Sequence, residues 1–264
     1  MPFFPLVRLL GCAALFALCT APAALAAPVK ASTAYIISLG GVNVADLRIA
    51  LDDNGQRYTL GLDADVTGVG SLVASGTATI SASGRSAANT LNSETFDLKT
   101  VAAGEGFNVH VGYSGGSATE FKVTPPIVNN IDRVPVERSQ LRGVTDMMSA
   151  FLIRGGKLDR ALCDRRIKVF TGIERFDVAM SFAKDDKATS PRTGYQGPLV
   201  LCNIHYLPVS GHYTTSDLTN YLAQEDRILI WYAPLGESGY FIPYRVLMNT
   251  PFGDLSMVLT KLEQ

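Results

Sequence analysis

Five groups of residues have types and spacings that suggest chemistry. Gly112-Tyr113-Ser114-Gly115-Gly116 matches G-x-S-x-G, the nucleophile elbow of serine hydrolases, with His205, His212 and Asp217 downstream as possible partners. That chemistry needs a strand, a sharp turn and then a helix, so that the Ser oxygen stands exposed at the helix start. Here an alternating segment enters the motif and a second one, Thr119 to Val123, leaves it, which reads as a Gly-Ser hairpin turn. Cys163, Cys202, His205 and His212 are zinc-type ligands. On a strand, however, Cys202 and His205 are three apart and point to opposite faces, so no metal is expected. Asp185-Asp186 and Glu225-Asp226 are paired carboxylates in polar loop sequence, with nothing to set either pair across a cleft as glycosidase chemistry requires.

The two remaining groups suggest binding. Arg165, Arg166 and Lys168, with Arg160 nearby, form the only basic cluster and are the candidate anion or lipid-headgroup residues. Arg165 and Arg166 face opposite sides of a strand, so the alternative is a solvated face with local ion pairs. The C-terminal third is rich in aromatics. Tyr206, Tyr221, Trp231, Tyr232 and Tyr244 are the candidate lining of an apolar ligand site, because small barrels can hold one ligand. The competing reading is ordinary core packing.

The chain begins with a leader. Met1 to Arg8 carry one positive charge, Leu9 to Thr20 are nearly all apolar, and small residues follow to Ala27. That order is the secretory signature. Ala24-Leu25-Ala26 places small residues at −3 and −1, so cleavage is expected between Ala26 and Ala27, leaving residues 27–264 as a single periplasmic β-rich domain. The apolar run falls short of the roughly 20 residues of a spanning helix. Leu9-Leu10-Gly11-Cys12 resembles a lipobox, but no apolar segment precedes it.

Cleavage changes the cysteine count. Cys12 and Cys19 leave with the leader, and Cys163 and Cys202 remain as an even pair in an oxidising compartment, where one disulfide is the natural state. Net charge is −1, which gives no basic field for nucleic acid. No later segment approaches a transmembrane helix.

The elements that must position these groups are strands. Leu47, Ile49 and Leu51 alternate, Asp52-Asp53-Asn54-Gly55 makes a hairpin turn, and Tyr58, Leu60, Leu62 and Ala64 alternate on the return. Further strands are expected at 34–39, 75–82, 95–101, 107–113, 119–123, 165–170, 174–182, 199–208, 227–233, 240–249 and 254–262. Lys184 to Gly197 reads as a polar loop. Two short helices are expected, 146–151 capped by Thr145 and 216–223 capped by Ser216 or Thr215. Many short strands with regular turn signals imply an all-β fold: a curled antiparallel sheet forming an open or closed β-barrel-like domain. Helical interruptions and short strands argue against an outer-membrane barrel.

Gly143-Val144-Thr145-Asp146-Met147-Met148-Ser149-Ala150, Cys163-Asp164-Arg165-Arg166, Thr171-Gly172 with Arg175-Phe176, and Cys202 resemble the bacterial exported proteins of domain-of-unknown-function family 3108. Met147 stands where the family motif has Pro after the Asp. The resemblance spans most of the chain beyond the leader. It implies a periplasmic β-rich protein with a sheet curled toward a barrel and no assigned activity, and it agrees that Cys163 and Cys202 belong together. The resulting expectation is a non-enzymatic cell-envelope protein without cofactor that binds a lipid or other apolar small molecule. The alternatives are a solid-cored module that binds another envelope protein, and a serine hydrolase acting through Ser114.

Overall fold

Period-two alternation continues along the chain and builds one antiparallel sheet. The computed structural model describes Met1 and residues 27–68, 75–224 and 227–264. The rest of the expected leader, with Cys12 and Cys19, and the Glu225-Asp226 pair lie outside the described residues.

Seven strands come first: β1 (Val29–Leu39), β2 (Val42–Asp53), β3 (Arg57–Val66), β4 (Gly76–Ala87), β5 (Thr90–Ala102), β6 (Glu105–Ser114) and β7 (Ser117–Thr124). After a long connection come helix α1 (Met147–Phe151), the two-residue β8 (Ile153–Arg154), β9 (Arg165–Phe170), β10 (Arg175–Ala188) and β11 (Gly197–Ser210). Helix α2 (Asp217–Leu222), β12 (Ile228–Pro234), β13 (Tyr240–Thr250) and β14 (Gly253–Glu263) complete the order. Among the described residues, no helix is long and apolar enough to cross a membrane.

Each strand pairs with its neighbours in sequence, and β14 pairs with β1, so the sheet runs from β7 through β1 and β14 to β9. β8 lies off this path, paired with β13. The expected all-β, barrel-like class with two short helices is the observed one. Turn chemistry sets the hairpins. Between β2 and β3, Asp53 Oδ1 accepts from the Gly55 N–H at 2.9 Å and Asn54 Oδ1 from the Arg57 N–H at 2.9 Å, with Gly55 at φ 91°. The G-x-S-x-G segment is the end of β6 and the two-residue turn into β7, with Gly115 and Gly116 both at positive φ.

The two edge strands, β7 and β9, are joined by the connection between them. Val144 donates its N–H to Gly116 at 3.1 Å. Thr145 donates to the Lys168 carbonyl at 2.9 Å and accepts from the Phe170 N–H at 3.1 Å. The Tyr113 hydroxyl donates to the Phe170 carbonyl at 2.6 Å, and the Phe121 and Phe170 rings meet edge-on. Residues 142–145 thus act as a latch that nearly closes the barrel without adding a full strand.

Two local readings are corrected, and one short strand was not expected. Asp146, not Thr145, caps α1, its side chain accepting from the Ser149 N–H at 2.8 Å, because Thr145 is taken up by the latch. The segment read as a polar loop from Lys184 is strand as far as Ala188 and again from Gly197, since charged side chains suit the exposed face of a hairpin. β8 is too short to show periodicity. α2 is capped by Ser216, as one of the two expected residues. Cys163 and Cys202 form a disulfide with Cα atoms 5.4 Å apart, both fully buried, beside Val178, Val200 and Ile230.

Candidate functional site

Inward-facing residues from two arcs of the sheet surround a cavity of about 630 Å³. One wall comes from the first three strands: Thr33 and Tyr35 of β1, Leu47, Ile49 and Leu51 of β2, and Leu60 and Leu62 of β3. The opposite wall comes from Phe176 and Val178 of β10, Ile204 and Tyr206 of β11, Ile228 and Ile230 of β12, and Val246 and Met248 of β13. Met147, Met148 and Phe151 of α1 contribute another side, and Leu218 and Leu222 of α2 the rim. Leu218 is the exposed member of this wall, which puts α2 where the cavity meets solvent.

The few polar atoms of the wall are mostly engaged. Tyr35 donates its hydroxyl to the Pro243 carbonyl at 2.9 Å, and Thr33 donates to Ile49 at 3.3 Å. Burial pushes the Tyr35 phenol up to about 12. Tyr206 donates to Glu174 Oε2 at 3.4 Å, and burial, with the nearby Glu174 charge, raises its phenol well above the usual range. The surface is therefore mostly apolar, with soft methionine side chains that adapt to irregular shapes.

The rest of the barrel is filled. Ile80, Ala82, Phe96, Val109 and Val111, from β4 to β6, are all at most 6 % exposed and none borders the cavity. They share a core with Leu141, Val144 and Phe170, which the latch region and β9 supply.

The aromatic residues expected to line a ligand site are dispersed. Tyr206 is in the wall. Tyr221 bonds Asn249 Oδ1 beneath the Arg227 guanidinium, 4.2 Å from its ring centre. Trp231 donates Nε1–H to Asp186 Oδ2 at 2.9 Å and lies by Arg245, because it alternates with the inward Ile230. Tyr232 is fully buried in the core around the disulfide, past a register shift between Trp231 and Tyr232. Tyr244 packs edge-on against Tyr195 and bonds Thr193 Oγ1 at 3.1 Å. The aromatics actually in the wall are Tyr35, Phe151, Phe176 and Tyr206. Tyr35 was detectable as the inward member of Ala31, Thr33 and Tyr35.

A polar knot spans β2, β4, β8 and β13. Asp53 is fully buried and ion-paired to Arg154, with hydroxyls of Ser86 and Tyr240 donating to it at 2.6 Å each. Burial opposes the Asp53 charge, but these hydroxyls, the Gly55 N–H and the Arg154 guanidinium together hold its carboxyl below the usual range. Asp146 is also fully buried and accepts from Ser93 and Ser149, yet burial outweighs these bonds and pushes its carboxyl up. The Tyr58 hydroxyl and Ser149 Oγ lie 2.7 Å apart beside it.

The basic residues are brought together. Arg165, Arg166 and Lys168 all border a second, polar hollow of about 320 Å³. Opposite faces of β9 reach it because β9 is an edge strand. The remaining reactive side chains stand apart. Cys163 and Cys202 are in the disulfide, His205 Nε2 is 3.1 Å from the Ala223 carbonyl, and His110 Nδ1 is 2.8 Å from Asp97 across β5 and β6.

No curated protein matches the chain. The crystal structure of a β-barrel-like protein of domain of unknown function DUF1849 from Brucella abortus superimposes with a TM-score of 0.48 at 13 % identity, covering 90 % of this chain and 98 % of that one. The family model for a protein of unknown function, DUF3108, matches residues 34–260, and the chain belongs to that family.

Proposed function

We propose that this is an exported, non-enzymatic protein of the cell envelope that holds an apolar ligand, a lipid acyl chain or a molecule of similar chemistry, inside its barrel. The observation that carries the reading is the apolar cavity of about 630 Å³, within the usual range for small-molecule sites. The pocket opens to solvent at α2, so without a guest its apolar walls are left wet, which is unfavourable. An apolar guest relieves that cost. The leader sequence and the single disulfide support export to an oxidising compartment. The setting of Ser114 beside a hairpin turn, with a strand on each side, supports a role without acyl-transfer chemistry.

Native mass spectrometry of protein purified from periplasm, followed by titration with cis-parinaric acid, tests this. Saturable fluorescence is expected, and it should be lost in Ile49→Trp, which places an indole in the cavity. A clean apo mass, with no parinarate binding by a folded protein, overturns the proposal.

A further inference from the structure

The polar hollow lies across α1 from the cavity. Met147, Met148 and Phe151 face the cavity, Ser149 and Ala150 face the hollow, and Leu152 borders both. Every ionisable side chain in the hollow's wall is a cation: Arg154, Arg165, Arg166 and Lys168. Their charges are unequally matched. Arg154 is neutralised by Asp53. Arg166 reaches Asp177 at 3.3 Å, but that carboxylate also pairs with Arg175 at 2.6 Å. Among the described residues, Arg165 and Lys168 have no carboxylate within ion-pair distance. Arg165 Nε–H donates to the Leu162 carbonyl at 3.1 Å. It is half-buried, and burial pushes its guanidinium below the ordinary value.

The backbone adds donors to the same wall. The latch occupies the outer edge of β9 only at the Lys168 carbonyl and the Phe170 N–H. Groups on one edge of a strand belong to alternate residues, so the N–H groups of Arg166 and Lys168 leave that edge too, beside the hollow. Cations with backbone N–H groups are the donor set that oxyanions select.

We propose that this hollow binds a small oxyanion group of phosphate or sulfate chemistry, held by Arg165 and Lys168 with Arg166 and the free edge of β9. The group is either a free anion or the phosphate of a lipid head. The site stands apart from the cavity, so its fate does not depend on the apolar-ligand reading.

The test is calorimetric titration of the purified protein with inorganic phosphate at low ionic strength, because exposed charges are screened within about 8 Å at physiological salt. Saturable binding is expected. Arg165→Gln and Lys168→Gln should each weaken it at least fivefold, whereas Lys99→Gln, exposed on β5 away from the hollow, and Ile49→Trp should not. Arg165→Lys keeps the charge and should retain most of the affinity, which separates a lost site from a lost fold. A second arm uses vesicles of phosphatidylglycerol and of phosphatidylcholine. Binding to the former alone, sensitive to Arg165→Gln and Lys168→Gln, identifies a lipid head as the source. The proposal is overturned if neither phosphate nor anionic vesicles bind. It is equally overturned if Lys99→Gln weakens binding as much as Lys168→Gln, or if the Arg165→Gln/Lys168→Gln protein, folded by circular dichroism, still binds.

Discussion

The two arcs of the barrel follow the same alternation and enclose opposite interiors. From β4 to β6, inward residues such as Ile80, Phe96 and Val111 are met by Leu141, Val144 and Phe170. From β1 to β3 and β10 to β13, inward residues of the same kind face each other across open space. Alternation therefore decides which face turns inward, but not whether that face is covered. Covering depends on what the long connections bring. The connection after β7 fills one side and then, as α1, lines the cavity on the other.

The largest effect should arise where the arcs are tied together. Asp53→Ala leaves Arg154 buried without a counter-charge and removes the acceptor for Ser86 and Tyr240, so about 5 kcal/mol of unfolding free energy should be lost in urea titrations. The pH dependence has a definite sign. The folded-state pKa of Asp53 is lowered, so its stabilisation is complete above the ordinary carboxylate value near 4 and fades as pH falls through the depressed one. Acid titration of Asp53→Asn should lack that loss.

Next is the disulfide, which anchors β11 in the hollow arc. Its loop spans a sequence separation of 39, and Cys163→Ala/Cys202→Ala should cost about 4 kcal/mol. Reduction of the native protein should give a similar shift, and an unchanged melting temperature would remove the disulfide from the account.

The arcs themselves are compared by truncation. Phe96→Ala in the filled arc should cost about 3–4 kcal/mol. Ile49→Ala at the cavity wall should cost only about 1 kcal/mol without ligand, because part of its surroundings is already empty. Equal losses would show that the cavity is filled in the apo protein.

The smallest effect concerns Asp146. Its folded-state pKa is raised, so ionisation costs nothing below the ordinary carboxylate value and progressively more as pH rises to the raised one. Asp146→Asn keeps a capping side chain and should change neutral-pH stability by less than about 1 kcal/mol, in the stabilising direction. The pH profile between those two values should flatten.

Much of the framework was legible because it is local. Leu47, Ile49 and Leu51 show their face by spacing, and Asp53-Asn54-Gly55 shows its turn by residue type. The pairing of Cys163 with Cys202 was expected because they are the two cysteines outside the expected leader. The wall of the cavity was less legible. Composition pointed to Trp231 and Tyr244, but a register shift and the outward phase of β12 place them elsewhere. The latch was visible only as a motif, Gly143 to Ala150, since its meaning depends on Gly116, Lys168 and Phe170, which are distant in sequence. Arg165 and Arg166 are successive residues of β9, half-buried and exposed in turn. That they share one hollow follows from β9 being an edge, which no single strand's sequence reveals.

The pairing of β14 with β1 has a consequence in time. Thr33 lies opposite Leu262, so β1 finds one of its two partners only once β14, far later in the chain, has been made. The intervening hairpins join neighbours and can form in order of emergence. Joining the two halves of the sheet, in contrast, awaits a contact of very long sequence separation, the kind that slows folding. Until then β1 presents an unpaired edge, which is open to association with other chains.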